Sequence, residues 1–368
     1  MPTRNRVSLL LLGLATGMVS ACAASGEAAS SQMPAASSLP AATEWRDVDA
    51  AIEAAPFENI RVIIGTTDGI FYEYEKGNLP RDEAYFIASA SKMLTGLTFT
   101  RLVEEGVMSW DDQPQDYLDW WTKDPADPRS DVTLSQLLAF TSGFNDGAES
   151  RGCIRDRKSS VDACAMEFYN KGQGTAPGEA FFYGPAHMQI AAAMAEQATG
   201  KAYHQLFRET VARPAGLSAK TQFIAPSPQN ARASGGARST AEDTARLLQS
   251  ILEGKIVTDL DDWTKDRTAD ARFEVRPVTA GTEGLDWHYA HGMWVECDGT
   301  FTESCAQTPI VSSPGAFGWT PWIDMGRGYY GVIAIQERPK GGLRPATESV
   351  KLEQAIQPLI ERKLDAAR

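Results

Sequence analysis

The chain has 368 residues, 43% hydrophobic and 23% charged, an ordinary globular composition with room for one large domain or two moderate ones. Its formal net charge of -13 argues against nucleic acid as a partner and reads as solubility. There is no Cys-x-x-Cys, and the one close histidine pair, His288 and His291, sits beside a predicted strand, so no metal site is expected.

Residues 1–22 are not expected to belong to the fold. Arg4 and Arg6 precede an apolar run over 7–19 that is too short and wrongly flanked to span a membrane. The run ends Val19-Ser20-Ala21-Cys22, which resembles a bacterial lipobox, whose cysteine is lipidated and becomes the mature N-terminus. An ordinary secretory signal with a chance cysteine is the alternative. By the same analogy Ala23 at the next position fits outer-membrane sorting. Residues 23–43 are rich in Ala, Ser and Pro without apolar periodicity and read as a flexible tether. That leaves 44–366 as the folded domain, lipid-anchored on the periplasmic face of a bacterial membrane.

A short helix is predicted over 47–55, then a strand over 61–67, a tight turn at Asp68-Gly69 and a partner strand over 70–75. Next comes Ser89-Ala90-Ser91-Lys92. A serine hydroxyl is a poor nucleophile at neutral pH and needs a base beside it. In a helix beginning near Ser89, Lys92 lies one turn on and shares its face. Leu94, Leu97, Phe99, Leu102 and Val103 continue a helical apolar pattern that stops at Gly106. A helix N-terminus also brings N–H groups to where an oxyanion would form. Taken alone, Ser-x-x-Lys occurs often by chance.

After Gly106 the patterning is mostly helical. Residues 132–138 lead to Thr141-Ser142-Gly143, and 145–175 read as a loop-rich insertion. Tyr183 follows a turn at Pro177-Gly178, and helices are predicted over 186–198 and 203–212. Ser239-Thr240-Ala241-Glu242 reads as a capping box for a helix ending at Gly254. Residues 258–286 support no assignment. Strands are predicted over 290–295, 316–325 and 329–336, and an amphipathic helix over 348–364 closes the chain. Cys153 with Cys164, and Cys297 with Cys305, form two close pairs that suit local disulfides in an oxidising compartment. The expected fold is α+β: one mostly antiparallel sheet built from both chain ends with flanking helices. A helical subdomain, roughly 107–285, is inserted between its strands, and the active site lies where the two parts meet.

In order and spacing these segments resemble the serine β-lactamase and penicillin-binding-protein superfamily. Within it they resemble the class C β-lactamase-related branch of esterases, amide hydrolases and D-amino-acid peptidases. Ser89 and Lys92 match the family's Ser-x-x-Lys. Residues 137–143 resemble its Leu-Leu-x-His-Thr-Ser-Gly segment, and Pro177-Gly178-Glu179 through Tyr183 the approach to its Tyr-x-Asn. Gly235-Gly236 with Ser239-Thr240-Ala241-Glu242-Asp243 matches another recurrent stretch. The resemblance covers nearly all of the chain after residue 44. It implies acyl transfer on Ser89 with no metal or organic cofactor, Lys92 and Tyr183 sharing the base role. It also implies an oxyanion hole from the backbone N–H groups of Ser89 and of Ala316, the latter on an edge strand.

Two departures stand out. Tyr-x-Asn reads Tyr183-Gly184-Pro185, so an amide is lost, with His187 or Gln189 as candidate substitutes. The third motif, Lys/His-x-Gly, reads Ser313-Pro314-Gly315, keeping the glycine without the cation. Ser313, Gly315, His187 and Trp319 are the expected substrate-binding residues, Trp319 and Trp322 serving either as acyl-pocket wall or as core. Unless Arg344 folds into the gap, losing the cation favours small neutral esters or amides over penicillins, cephalosporins and D-Ala-D-Ala peptides. A class C-type β-lactamase or D-amino-acid carboxypeptidase is the alternative of the same class. A catalytically inactive, lipid-anchored binding or sensor protein of the same fold is the alternative of another. Expressed whole in a Gram-negative host, the protein is expected to fractionate with membranes, and Cys22→Ser to free it or block its processing. A soluble periplasmic wild type would reduce Cys22 to a chance residue.

Overall fold

Apolar runs from opposite ends of the chain meet in one sheet. The computed structural model describes residues 45–145, 152–277, 284–340 and 344–367; the segments expected to be a leader and a tether, with Cys22, lie outside the described residues. After helix Arg46–Ala54 (α1), strands Ile60–Thr66 (β1) and Gly69–Lys76 (β2) form the expected hairpin, and Tyr85–Phe86 (β3) leads into helix Ser91–Glu104 (α2). Helices Leu134–Leu138 (α3) and Val161–Lys171 (α4), strand Ala180–Phe182 (β4), and helices Ala186–Thr199 (α5) and Tyr203–Phe207 (α6) fill the middle. Short strands Gln222–Phe223 (β5), Pro226–Ser227 (β6), Asn230–Ala231 (β7) and Ala237–Ser239 (β8) precede helices Ala241–Leu252 (α7) and Leu260–Thr264 (α8). Then come Arg272–Val275 (β9), His288–Tyr289 (β10), Trp294–Val295 (β11), helix Glu303–Gln307 (α9), Ile310–Ser312 (β12), Thr320–Asp324 (β13), Tyr329–Ala334 (β14) and the closing helix Pro345–Ala367 (α10).

The main sheet runs β10-β11-β12-β13-β14-β1-β2, antiparallel throughout, with β1 against β14. Successive side chains of a strand point to opposite faces. Val62 and Ile64 accordingly pack with Val48 and Ile52 of α1 and with Leu352, Ile356 and Ile360 of α10. Ile63 faces the other way, into the larger cluster that holds Leu247, Leu248 and Ile251 of α7 and much of α2 and α5. Each such side chain fully buried is worth roughly 1.5–3 kcal/mol. The α+β fold with a sheet from both chain ends is as the sequence reads. Both cysteine pairs, Cys153–Cys164 and Cys297–Cys305, are disulfides.

The local differences have physical reasons. Residues 161–171 are helix, not loop: Val161, Cys164, Ala165 and Phe168 form its buried stripe. The unassigned stretch holds α8 and β9, the latter paired parallel with β4. The cap of α7 is Thr240, whose hydroxyl accepts from the Asp243 amide at 2.9 Å, one residue beyond the predicted box. The strand expected over 316–325 starts only at Thr320, after the unforeseen strand β12. Between them Pro314 has no N–H for a ladder, and the Gly315 amide donates to the Trp319 carbonyl at 2.7 Å, closing a tight turn. Ala316 lies in that turn and not on an edge strand.

Two carboxyls are buried between the main sheet and α10. Gln354 and Gln357 each donate to Glu296 at 3.2 Å, and Gln357 also reaches Glu353 at 3.4 Å. Burial pushes Glu296 up to about 7, and burial with the Glu296 charge holds Glu353 well above the carboxylate range. Both folded-state values lie above the unfolded one, so the native chain binds more protons. Stability from the pair is present below the ordinary carboxylate pKa and is lost as pH rises toward 7 and beyond, by up to about 1.4 kcal/mol per pH unit per proton. Urea unfolding of Glu353→Gln from pH 5 to 8 is expected to show a flatter decline than wild type; parallel profiles would mean that the carboxyls ionise freely.

Candidate active site

Ser89 sits in the 3-10 turn Ala88–Ala90, which runs directly into α2. Ala88 has φ +46°, a left-handed conformation that costs an L residue roughly 1–2 kcal/mol. Two segments hold it there. On one side the Ile87 amide donates to the Ala237 carbonyl at 3.2 Å, and the Ala237 amide donates to Ser91 Oγ at 3.0 Å. On the other, Ser313 Oγ donates to the Ser89 carbonyl at 3.2 Å, and a Cβ on Gly315 would overlap the Ile87 carbonyl oxygen. The Ser89 turn is clamped between residues 233–237 and 313–315.

Lys92, 4% exposed, donates from Nζ to Ser89 Oγ at 3.1 Å and to the Ser234 carbonyl at 2.6 Å. Its Nζ lies over the Tyr183 ring, 4.5 Å from the ring centre. The Tyr183 side chain also neighbours Ser89. Burial pushes its phenol above the ordinary pKa, only partly offset by the Ser89 side chain, so it is protonated at neutral pH. The ring is fixed by aromatic neighbours: it stacks on Trp294 at 5.6 Å and meets Phe140 and Tyr289 edge-on at 5.3 and 6.2 Å. A hydroxyl, an amine and a phenol therefore converge, which is the equipment for moving a proton on and off a nucleophile.

The family described as Beta-lactamase matches residues 61–355, most of the chain. The chain belongs to the β-lactamase family. Members of this family are serine hydrolases. Among curated proteins it is 25% identical over 225 residues to the D-alanyl-D-alanine-carboxypeptidase/endopeptidase AmpH of Escherichia coli, covering 52% of this chain and 56% of that one. It is 23% identical over 130 residues to the Staphylococcus aureus protein flp, covering 35% of this chain and 26% of that one. The chain thus spans less than two thirds of either relative. Among solved structures it resembles the hydrolase EstCE1, with TM-score 0.65, 17% identity and coverage of 84% and 98% of the two chains. It also resembles the D-amino acid amidase of Ochrobactrum anthropi SV3, with TM-score 0.66, 16% identity and coverage of 87% and 99%. At these identities the likeness is one of fold.

Against the β-lactamase family motifs, the departures are resolved by the backbone. Pro185 is the N-cap of α5, where a proline is tolerated. Neither candidate for the lost amide reaches Lys92. His187 is fully buried, its Nδ1 2.7 Å from Ser142 Oγ, and burial pushes its pKa down to about 3. It is a neutral core residue and not a substrate contact. Gln189 donates instead to Asn230 Oδ1 at 3.2 Å. The Ser234 carbonyl is what holds the Lys92 amine, and no side-chain pattern announces a carbonyl. Trp319 is fully buried in the core beside Tyr85, and Trp322 belongs to the opposite face with α1 and α10, so neither forms an open pocket wall. Arg344 is exposed just before α10. Among the described residues no group of three or more His, Cys, Asp or Glu side chains could hold a metal ion, and no helix is long and apolar enough to cross a membrane. His288 lies 2.6 Å from Asp266, and His291 2.8 Å from Ser135.

Because backbone sits where a Cβ of residue 315 would go, Gly315→Ala must push the Ser89 turn aside. It is expected to cost ~1–3 kcal/mol in denaturant unfolding. An unchanged midpoint would show that the 313–315 segment is not pressed against Ile87.

Proposed function

We propose that the protein is a serine hydrolase that forms an acyl-enzyme on Ser89 with small ester or amide substrates. The observation that carries this is the approach of Lys92 Nζ to 3.1 Å from Ser89 Oγ and to 4.5 Å from the centre of the Tyr183 ring. The names of similar proteins, a hydrolase with promiscuous acyltransferase activity and a D-amino acid amidase, support it.

In this reading Ser89 Oγ attacks the substrate carbonyl carbon and its proton passes to the Lys92 amine. The Tyr183 phenol, kept protonated by burial, gives its proton to the departing alkoxide or amine and regains one from Lys92. The C–O or C–N bond breaks and the acyl group stays on Ser89. Water then attacks the acyl carbon, its proton returns through the same pair to Ser89, and the carboxylic acid leaves. The backbone N–H groups of Ser89 and Ala316 receive the oxyanion. The Cys22 lipid anchor places this chemistry at the periplasmic face of a membrane.

Ser89→Ala is expected to abolish fluorophosphonate labelling and turnover of p-nitrophenyl butyrate. Ser91→Ala should keep the labelling, losing about 1 kcal/mol of stability because its hydroxyl accepts from the Ala237 amide. Lys92→Ala and Tyr183→Phe should each lower turnover ~10²–10⁴-fold, and the double variant by less than the product, since the two act as a unit. Labelling that survives Ser89→Ala would move the nucleophile elsewhere. A wild type that is never labelled would favour an inactive binding protein.

A further inference from the structure

Two buried threonines of α2 use their hydroxyls differently. Thr98 Oγ1 donates back to the Leu94 carbonyl at 2.9 Å, the usual course for a threonine inside a helix. Thr95, one turn after Lys92 and fully buried, turns away from its own helix: its Oγ1 donates to the Ala233 carbonyl at 2.7 Å. The next carbonyl, that of Ser234, accepts from Lys92 Nζ at 2.6 Å. Two consecutive carbonyls are therefore held by side chains three residues apart on one face of α2. The chain can present both because 232–236 is a turn, in which the Gly235 and Gly236 amides donate to the Arg232 carbonyl at 3.2 and 2.8 Å.

The Thr95 hydroxyl is itself held. Tyr203 Oη donates to Thr95 Oγ1 at 2.7 Å, and burial keeps this phenol protonated, hence a donor, at neutral pH. The Tyr203 ring stacks on Phe99 of α2 at 6.5 Å and meets Phe223 of β5 edge-on at 5.2 Å. Phe223 pairs in turn with Ala237 of β8, whose backbone grips Ile87 and Ser91. In the series Tyr203 to Thr95 to Ala233, the threonine accepts one hydrogen bond and donates one, so its hydroxyl is fully used. In a buried series of this kind each bond strengthens the next.

We infer that Thr95, backed by Tyr203, is a positioning residue for the Lys92 amine. To take the Ser89 proton, the neutral amine must aim its lone pair at Ser89 Oγ. A nitrogen with one N–H committed to a fixed carbonyl can turn only about that hydrogen bond, so the Ser234 carbonyl limits where the lone pair points. Thr95 fixes that carbonyl through the residue before it, and no bond is made or broken at Thr95 itself. This inference rests on Ser89 as nucleophile and Lys92 as its base.

The test is a double-variant cycle, read as kcat and KM for p-nitrophenyl butyrate and as the rate of fluorophosphonate labelling. Thr95→Val keeps the shape of the side chain and removes the hydroxyl. It is expected to lower kcat about 10–100-fold, the cost of a small misplacement of a reacting group, with KM little changed. Thr95→Ser, which restores the hydroxyl, should recover most of the loss. Tyr203→Phe leaves Thr95 able to donate and should lose less than Thr95→Val. In a Lys92→Ala background, Thr95→Val should slow labelling no further, because it acts only through the amine. A general packing defect would instead slow labelling by the same factor in both backgrounds. If Thr95→Val does not fold, Tyr203→Phe in both backgrounds is judged by the same criterion. Wild-type kcat in Thr95→Val, or an equal loss with and without Lys92, would overturn the positioning role while leaving Ser89 and Lys92 in place. Full turnover in Lys92→Ala, or turnover that survives Ser89→Ala, would overturn the reading beneath it.

Discussion

Everything at the site depends on a short backbone turn held in an unfavourable shape. The left-handed Ala88 persists because Ala237 grips the residues on either side of it and the 313–315 segment presses from the far wall. Such strain survives only where the surroundings over-determine it. Helix α2 is seated just as rigidly. Gly96 lies against the His291 carbonyl and Gly292 against the Lys92 carbonyl, where any side chain would overlap backbone. Lys92 thus projects from a helix that cannot shift without moving the β10–β11 connection.

This packing explains how the chain keeps the geometry of its family without two of the family's side chains. The lost amide of Tyr-x-Asn is a donor–acceptor group, and a backbone carbonyl can do the acceptor half of its work. Ser234 does so at 2.6 Å from Lys92 Nζ, on a segment already fixed by Thr95 Oγ1 donating to the Ala233 carbonyl at 2.7 Å. The lost cation of the third motif leaves a hydroxyl that fastens the Ser89 turn. Both replacements spend their polar atoms on fixing Lys92 and the Ser89 turn.

Much of this was legible in the chain. Ser89, Lys92 and Tyr183 were marked by local spacing and by motif order, and the cysteine pairs by their closeness. The strands at both ends declared themselves through runs such as Ile60–Thr66. Where the reading failed, the cause is specific. Helix α4 carries the period Val161, Cys164, Ala165, Phe168, visible only if a disulfide cysteine is counted as apolar. Strand β9 has no alternation because most of it is exposed. Trp319 closes the tight turn before β13 while Trp322 lies within that strand, and the two pack into different core clusters. Tyr289 and Trp294, which fix the Tyr183 ring, lie over a hundred residues from it in sequence, and only the fold brings them together.

The pairing of β1 with β14 sets an order of events for the newly made chain. The first strand to emerge has its hairpin partner at once, but its other edge waits until residues 329–334 exist. The Ser89 carbonyl likewise waits for Ser313, and Gly96 for Gly292. Contacts so distant in sequence are slow to form, because a long loop must close before any of them rewards it. The Ser89 turn is therefore among the last features to acquire its shape. During synthesis the chain carries Ser89 and Lys92 in an unclamped segment, and their close arrangement is fixed only when the C-terminal strands arrive.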